Sequence, residues 1–262
     1  MTHTRSIRFF GACLALLALA GQPALATDGR LPVDATCSVP EPLRGFAADL
    51  PLARAAIADG QKLTIVALGS SSTLGAGASS EERSYPTVLR KELARLLPGH
   101  EIDVVNAGVG GNSAHQMYQR IDADVLSEQP RLVIWQTGVF DAINDIGIEK
   151  FKRILRKGIA RIRDGGADVM LVDQVPLPRA DRFPAYGSYV AALHEVAAET
   201  ETPVFRRSEM FGFLMETGRL RLDQMLPNAG DHLIDGSYHC LGVNIGRTLA
   251  EKLSPRAIAT RP

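Results

Sequence analysis

The residues of this 262-residue chain that are best suited to chemistry are serines between an apolar run and a pair of glycines. Leu63–Leu68 is mostly apolar, and Gly69 and Ser71 follow it, with Gly75 and Gly77 just beyond. A strand that ends in this way delivers a serine to a tight turn at the carboxyl edge of a sheet. Such a turn exposes the hydroxyl and points backbone N–H groups at a ligand. The pattern predicts acyl transfer with Ser71 as the nucleophile.

A second glycine-rich segment, Asn106–Ser113, follows the next apolar run, Ile102–Val105. Its glycines let the backbone come close to a ligand and turn N–H groups outward. Acyl transfer needs such donors for the developing oxyanion. We expect the N–H groups of Ser71 and Gly111 to supply them, and Asn106 to hold the two loops together through its side chain.

A serine nucleophile also needs a neighbouring base, usually histidine. His232 and His239 lie near the end of the chain, where a returning loop can reach the edge of the sheet. Asp231 and Asp235 are close enough in sequence to orient an imidazole. The other histidines lie in the first residues, in a polar turn or in helical segments, where solvated or packing roles fit them.

The chain that must position these residues alternates between strand patterns and helix patterns. The predicted strands are Leu63–Leu68, Ile102–Val105, Leu132–Trp135, Val169–Val172 and Pro203–Phe205. The predicted helices are Tyr85–Leu97, roughly Ser113–Leu126, Ile148–Arg163, Tyr186–Thr200 and Tyr238–Leu253. Continuously apolar strands in alternation with helices indicate an α/β fold, a parallel sheet covered on both faces. Ligands of such sheets bind beyond the carboxyl ends of the strands.

The first residues are typical of a secretory signal peptide. Arg5 and Arg8 precede the apolar run Phe9–Ala20, and Ala24–Ala26 offers a small-x-small cleavage site. We therefore expect an exported protein, periplasmic or secreted, with no later membrane span. The predicted divisions are a signal peptide, an N-terminal arm with the first helix, and one domain: 1–26, 27–60 and 61–256.

Charge and cysteine content narrow the partners. The chain has 29 basic and 29 acidic residues and no polybasic run. Nucleic acid and anionic membrane surfaces are therefore poor partners. Beyond the signal peptide, Cys37 and Cys240 remain. In an exported protein they either form a disulfide or stay as two small apolar residues.

Three segments together resemble the SGNH (GDSL-type) hydrolases, in particular an exported bacterial branch whose first block reads G-S-S-S-T. They are Gly69–Thr73, Asn106–Gly111 and Leu132–Gly138. The resemblance implies a three-layer α/β/α sandwich of flavodoxin-like type around a five-stranded parallel sheet, and ester hydrolysis without a metal or cofactor. By that resemblance Ser71 matches the nucleophile, Gly111 matches the oxyanion glycine, and Ser70 stands where many members have aspartate.

Two positions depart from the family pattern. Phe140 stands where the third block has an asparagine that donates to the oxyanion. In the C-terminal block, the spacing from the tyrosine-led last helix makes His232 the base and puts Ala229 at the position of its aspartate partner. The competing alignment uses Asp235 and His239, one residue too far apart. With His232 as base, Asp231, Asp235 or a backbone carbonyl is left to orient the imidazole.

These features predict an exported serine esterase that acts on small acyl esters, O-acetyl groups of polysaccharide among them, with a small ester or acylated carbohydrate as substrate. The alternative is a relative of low or no activity that binds an envelope glycan. The substitutions Phe140 and Ala229 favour that alternative, because each removes a catalytic group.

Overall fold

In the computed structural model, the described residues are Met1 and the ranges 35–175, 183–221 and 234–254. The chain divides into two units, Met1–Val33 and Asp34–Pro262. The helices and strands given below belong to the second unit. Apart from Met1, the predicted signal peptide lies outside the described residues, as does the beginning of the predicted arm. Both stay predictions.

Within the described residues, five parallel strands form one sheet in the order β2-β1-β3-β4-β5. The strands are β1 (Leu63–Gly69), β2 (Ile102–Gly108), β3 (Leu132–Gln136), β4 (Asp168–Val172) and β5 (Val204–Phe205). Gly69 at the end of β1 pairs with Gly108 at the end of β2, and Leu68 pairs with Trp135 of β3. The chain passes from β1 to β2 on one side and then crosses to β3 on the other side of β1. At such a change of direction, α/β sheets form a crevice beyond the carboxyl ends of the strands, here those of β1 and β3.

Helices cover both faces of the sheet, and the predicted α/β fold class is confirmed. The helices are α1 (Glu41–Arg44), α2 (Pro51–Ala58), α3 (Ser71–Leu74), α4 (Tyr85–Leu96), α5 (Ala114–Gln119), α6 (Val139–Ile143), α7 (Ile148–Asp164), α8 (Tyr186–Glu199), α9 (Arg207–Glu216) and α10 (Asp235–Leu253). The side chains of a strand alternate between faces. Ile65 and Ala67 accordingly pack in the layer of α2, α4, α9 and α10, while Val66 and Leu68 pack in the layer of α5, α7 and α8.

The helix predicted over 113–126 is shorter and changes its winding. Helix α5 ends at Gln119, a π-helical turn runs over Ile121–Val125, and a 3₁₀ turn follows over Leu126–Glu128. The interruption leaves Arg120 at the end of α5, next to the loop that precedes this helix.

A disulfide joins Cys37 to Cys240, with 4.8 Å between their Cα atoms. Asn244 of α10 supports it by donating hydrogen bonds to the carbonyl oxygens of both cysteines, at 2.9 and 2.8 Å. The bond ties the N-terminal segment to the last helix, the first of the two alternatives that the sequence left open. Among the described helices, none combines the length and apolarity needed to cross a bilayer.

Candidate active site

The loop after β1 carries the predicted nucleophile. Ser71 is the first residue of the short helix α3 and is half-buried, while Ser70 precedes it with an extended backbone. The carbonyl oxygen of Ser70 accepts hydrogen bonds from the N–H groups of Thr73 and Leu74, at 3.1 and 2.9 Å. A Cβ at Gly69 would collide with the hydroxyl of Thr73, so only glycine lets the strand turn this tightly into α3.

Gln136, the last residue of β3, fixes this loop from below. Its side-chain oxygen accepts hydrogen bonds from the hydroxyls of Ser72 and Thr73, at 2.9 and 3.2 Å. Gln136 is buried, so these bonds form away from water and hold α3 over the crevice between β1 and β3. The sequence does not indicate this role of Gln136, because its partners lie in the loop after β1 and Gln136 lies at the end of β3.

The loop after β2 packs directly against α3. A Cβ at Gly108 would collide with the backbone nitrogen of Leu74, which explains the glycine there. The amide nitrogen of Asn106 lies 3.4 Å from the carbonyl oxygen of Leu74, and its amide oxygen accepts a hydrogen bond from the N–H of Gly108. Asn106 thus contacts both loops.

Gly111, the predicted second oxyanion donor, has a positive φ of 73°. The ring of Phe140 faces it, with Cε2 3.9 Å from where a Cβ of residue 111 would lie. One N–H of the Asn144 amide donates to the carbonyl oxygen of Phe140 at 2.8 Å. The ring of Phe140 is thus the neighbour of Gly111 on the side where a Cβ would point.

Arg120 connects the two loops that carry the predicted oxyanion donors. Its Nη2 donates to the carbonyl oxygen of Gly69 at 3.0 Å, and its Nε donates to the side chain of Asn112 at 2.9 Å. Gly69 also accepts a hydrogen bond from the N–H of Val109 at 3.1 Å. A planar guanidinium holds both partners in a fixed geometry, and it thereby sets the separation between the two loops.

Asp141 closes the site from the side of β3. Its carboxylate is fully buried, and both oxygens accept from the N–H of Ala114, the first residue of α5, at 3.1 and 3.0 Å. Burial raises the pKa of Asp141 to about 6, against the opposing effect of these hydrogen bonds. Neither role is visible in the sequence, because the bonds from Arg120 to Gly69 and from Ala114 to Asp141 join segments that are distant in sequence.

Comparison with known proteins assigns this chain to a family. A model of the Non-GDSL lipase-like family matches residues 36–255. The chain belongs to this family. The resemblance to GDSL-type hydrolases is thus confirmed. The prediction that the protein is a hydrolase that acts on esters is confirmed as well. A comparison with curated protein sequences gives no match.

Solved structures share the fold of this Non-GDSL lipase-like protein. A protein from Desulfitobacterium hafniense DCB-2 assigned to the G-D-S-L family of lipolytic proteins is 26% identical, with a TM-score of 0.59 over 71% of this chain and 98% of that one. A lipase/acylhydrolase from Enterococcus faecalis is 25% identical, with a TM-score of 0.62 over 74% of this chain and 98% of that one.

A two-domain esterase active on acetylated mannans is 21% identical, with a TM-score of 0.67 over 84% of this chain and 57% of that one. The Non-GDSL lipase-like chain therefore spans a little over half of that esterase. At this identity the match carries the fold alone.

Some of the residues predicted to form the base and its partners lie in the described part of the chain, and others do not. His232, Asp231 and Ala229 lie outside the described residues, and their roles stay predictions. Asp235 begins α10 and accepts hydrogen bonds from the N–H and the hydroxyl of Ser79, at 2.8 and 2.6 Å. These two bonds lower the pKa of Asp235, so that its carboxylate is ionised and anchors the loop after α3 to α10.

His239, the competing base, lies on α10 and lines a surface groove of about 440 Å³. The groove is lined by charged side chains of the neighbouring segments, among them Glu82, Lys91 and Arg95. Ser71 and Gly111 are not among the described residues that line it. The choice of His232 as the base stays a prediction.

Proposed function

We propose that this protein is an exported serine esterase that hydrolyses short acyl esters through Ser71 and His232. One observation carries the proposal. Ser71 begins a turn at the crevice between β1 and β3, and the loop that holds Gly111 packs against the same turn. Ligands of parallel α/β sheets bind at this place in the fold.

In the proposed reaction, the hydroxyl oxygen of Ser71 attacks the ester carbonyl carbon while His232 takes the hydroxyl proton. The N–H groups of Ser71 and Gly111 hold the negative oxygen of the tetrahedral intermediate. The intermediate collapses, the bond to the alcohol oxygen breaks, and His232 returns the proton to the leaving alcohol. Water then attacks the acyl-enzyme with His232 as base, which releases the acid and restores Ser71.

Turnover should be slow for such a site. Phe140 replaces a side-chain donor to the oxyanion, and the loss of one preorganised donor costs about 10²–10³ in rate. Ala229 replaces the aspartate that would orient the base. Where such a loss leaves the imidazole in the wrong tautomer, turnover falls by about 10⁴. Asp235 accepts hydrogen bonds from Ser79, which leaves Asp231 or a backbone carbonyl for that role.

Export and a carbohydrate substrate are part of the same proposal. The disulfide between Cys37 and Cys240 supports export, because disulfides persist mainly in oxidising compartments. A structural neighbour active on acetylated mannans supports an acylated carbohydrate, with acetyl as the simplest acyl group. N-terminal sequencing of protein recovered from the envelope or the medium of the producing cell tests export, and Thr27 is the expected first residue.

The second candidate function is glycan binding without turnover, and the ring of Phe140 beside Gly111 favours it. An aromatic ring offers a stacking surface in place of a donor. The two functions differ in what Ser71→Ala does. It abolishes hydrolysis if the protein is an esterase, and it leaves glycan binding intact if the protein is a binder.

The decisive experiment measures hydrolysis of p-nitrophenyl acetate by the purified protein, Ser71→Ala and Ser188→Ala. Ser188 is exposed on α8 and serves as the matched control. We expect the rate to fall to background in Ser71→Ala alone. A fluorophosphonate probe should add its mass to the peptide that contains Ser71. Equal background rates in all three proteins, with no labelled peptide, contradict the esterase and support the binder.

A further inference from the structure

Three exposed apolar side chains lie on the segments that carry the candidate active site. Five large apolar side chains are exposed among the described residues: Met1, Leu52, Leu74, Val109 and Ile143. Single exposed apolar residues are ordinary on a protein surface, whereas a group of them marks a place of contact. Leu74 is 49% exposed, Val109 42% and Ile143 37%, and all three lie on the segments that carry the site.

Two of these segments each place an apolar side chain next to one residue of the pair Gly110 and Gly111. Leu74 belongs to the same short helix as Ser71, and its Cδ2 lies 4.0 Å from where a Cβ of residue 110 would lie. The ring of Phe140 stands 3.9 Å from the corresponding point of residue 111. A carbonyl oxygen bound at the N–H groups of Ser71 and Gly111 therefore has apolar surface close to the carbon chain attached to it.

Val109 and Ile143 are the exposed apolar residues on the same two segments as Gly110 and Phe140. The N–H of Val109 is bound to the carbonyl oxygen of Gly69, which fixes the residue on the loop beside α3. Ile143 follows Phe140 by one turn of α6, and residues at that spacing lie on the same side of a helix. We call Leu74, Val109, Phe140 and Ile143 the apolar rim.

Two side-chain amides on the segments of the apolar rim each make a hydrogen bond within the protein. The amide nitrogen of Asn144 donates to the carbonyl oxygen of Phe140. The amide oxygen of Asn112 accepts from Arg120. Three of the four members of the rim are aliphatic and branched, a shape that suits a hydrocarbon chain better than the flat face of a sugar.

We infer that the apolar rim binds the hydrocarbon chain of the acyl group, so that the enzyme prefers butanoyl and hexanoyl esters to acetyl esters. This inference rests on the proposed function and names its acyl specificity. Burying one methylene group fully is worth about a factor of four in binding. On a half-exposed surface we expect about a factor of two for each methylene, and thus about 16-fold in kcat/KM between acetyl and hexanoyl esters.

The test measures kcat/KM for p-nitrophenyl esters of two to eight carbons with the purified protein, Leu74→Gln and Val109→Thr. Leu52→Gln is the matched control, because Leu52 is an exposed leucine on α2, at the opposite end of the strands. We expect the ratio of hexanoyl to acetyl kcat/KM to fall at least threefold in both rim variants and to stay constant in the control. The ratio is independent of the fraction of active protein, so partial misfolding does not imitate the effect.

A preference for acetyl, or an unchanged ratio in both rim variants, overturns the inference while leaving the esterase in place. A series of acetate esters with longer alcohols separates the two sides of the ester, and a gain confined to that series also overturns it. Failure of the proposed function looks different, since no ester is then hydrolysed in a Ser71-dependent way. In that event calorimetric titration of Ser71→Ala still decides. Tighter binding of hexanoyl than of acetyl ester supports the rim, and equal binding contradicts it.

Discussion

The carboxylate of Asp141 binds the N–H of Ala114 through both of its oxygens, at 3.1 and 3.0 Å. This pair joins α6, which carries Phe140, to α5, which follows the Gly111 loop. The bond is buried, so the ionised carboxylate is held where water does not reach it, and burial raises the pKa of Asp141 to about 6.

The raised pKa of Asp141 predicts how the stability of the protein changes with pH. Between about pH 4 and 6 the folded protein keeps a proton on Asp141 that the unfolded chain releases, so this residue's contribution to the free energy of unfolding falls as pH rises. A shift of about two units corresponds to about 3 kcal/mol. Asp141→Asn keeps an oxygen for Ala114 but does not titrate. Urea unfolding at pH 4.5 and 7 should therefore show a smaller loss of stability in the variant. Asp59→Asn, on the surface, is the control, and an unchanged pH dependence in Asp141→Asn contradicts the prediction.

Arg120→Gln should lower kcat for p-nitrophenyl acetate about tenfold and leave KM within about a factor of two. The reason is that the guanidinium holds Gly69 and Asn112, which flank the two oxyanion donors, and misplaced donors stabilise the transition state less. Arg161→Gln provides the comparison, because Arg161 pairs with the exposed Asp122 on the protein surface. If kcat in Arg120→Gln matches kcat in Arg161→Gln, the positioning role is wrong.

Phe140→Asn should raise kcat for the acetate ester by about tenfold or more, because it returns a side-chain donor to the place beside Gly111. The same change should lower the preference for hexanoyl esters, since it removes the ring from the apolar rim. Phe140→Leu separates the two effects, as it changes the shape of the rim without adding a donor. A gain in kcat that appears equally in Phe140→Leu would mean that the donor is not its cause.

Replacing both Cys37 and Cys240 by serine should lower the free energy of unfolding by about 2–5 kcal/mol, because the open chain gains entropy when it unfolds. Denaturant unfolding with and without a reducing agent measures the loss. The reducing agent should destabilise the wild type and leave the double variant unchanged. Equal stability of oxidised wild type and double variant contradicts the prediction.

Much of this fold could be predicted from the sequence because its strands are buried on both faces and therefore read as apolar runs. The strand ends were predicted to within three residues, and the carboxyl edge followed from them. The winding after α5 could not be predicted. Met117, Ile121 and Val125 are all buried at a spacing of four residues, which suits an α-helix as well as the π-helical turn found there.

Some residues of the candidate site could be proposed from the sequence and others could not. Ser71 and Gly111 could be proposed because glycines and a strand end mark them locally. Arg120, Gln136 and Asp141 could not, because their partners are backbone and hydroxyl groups that only the folded sheet brings near. Local patterns thus indicate which residues can react, whereas the residues that hold them in place emerge from packing between distant segments.

The bond between Cys37 and Cys240 also sets an order of events during synthesis. The two cysteines are 203 residues apart, so at ribosomal rates Cys240 is made about 10–40 s after Cys37. Throughout that interval Cys240 has not yet been made, and the one other cysteine of the given sequence is Cys13. A wrong disulfide must therefore involve Cys13 or a second molecule. The yield of correctly oxidised protein should accordingly depend on how crowded the nascent chains are, and hardly at all on an isomerase that shuffles bonds.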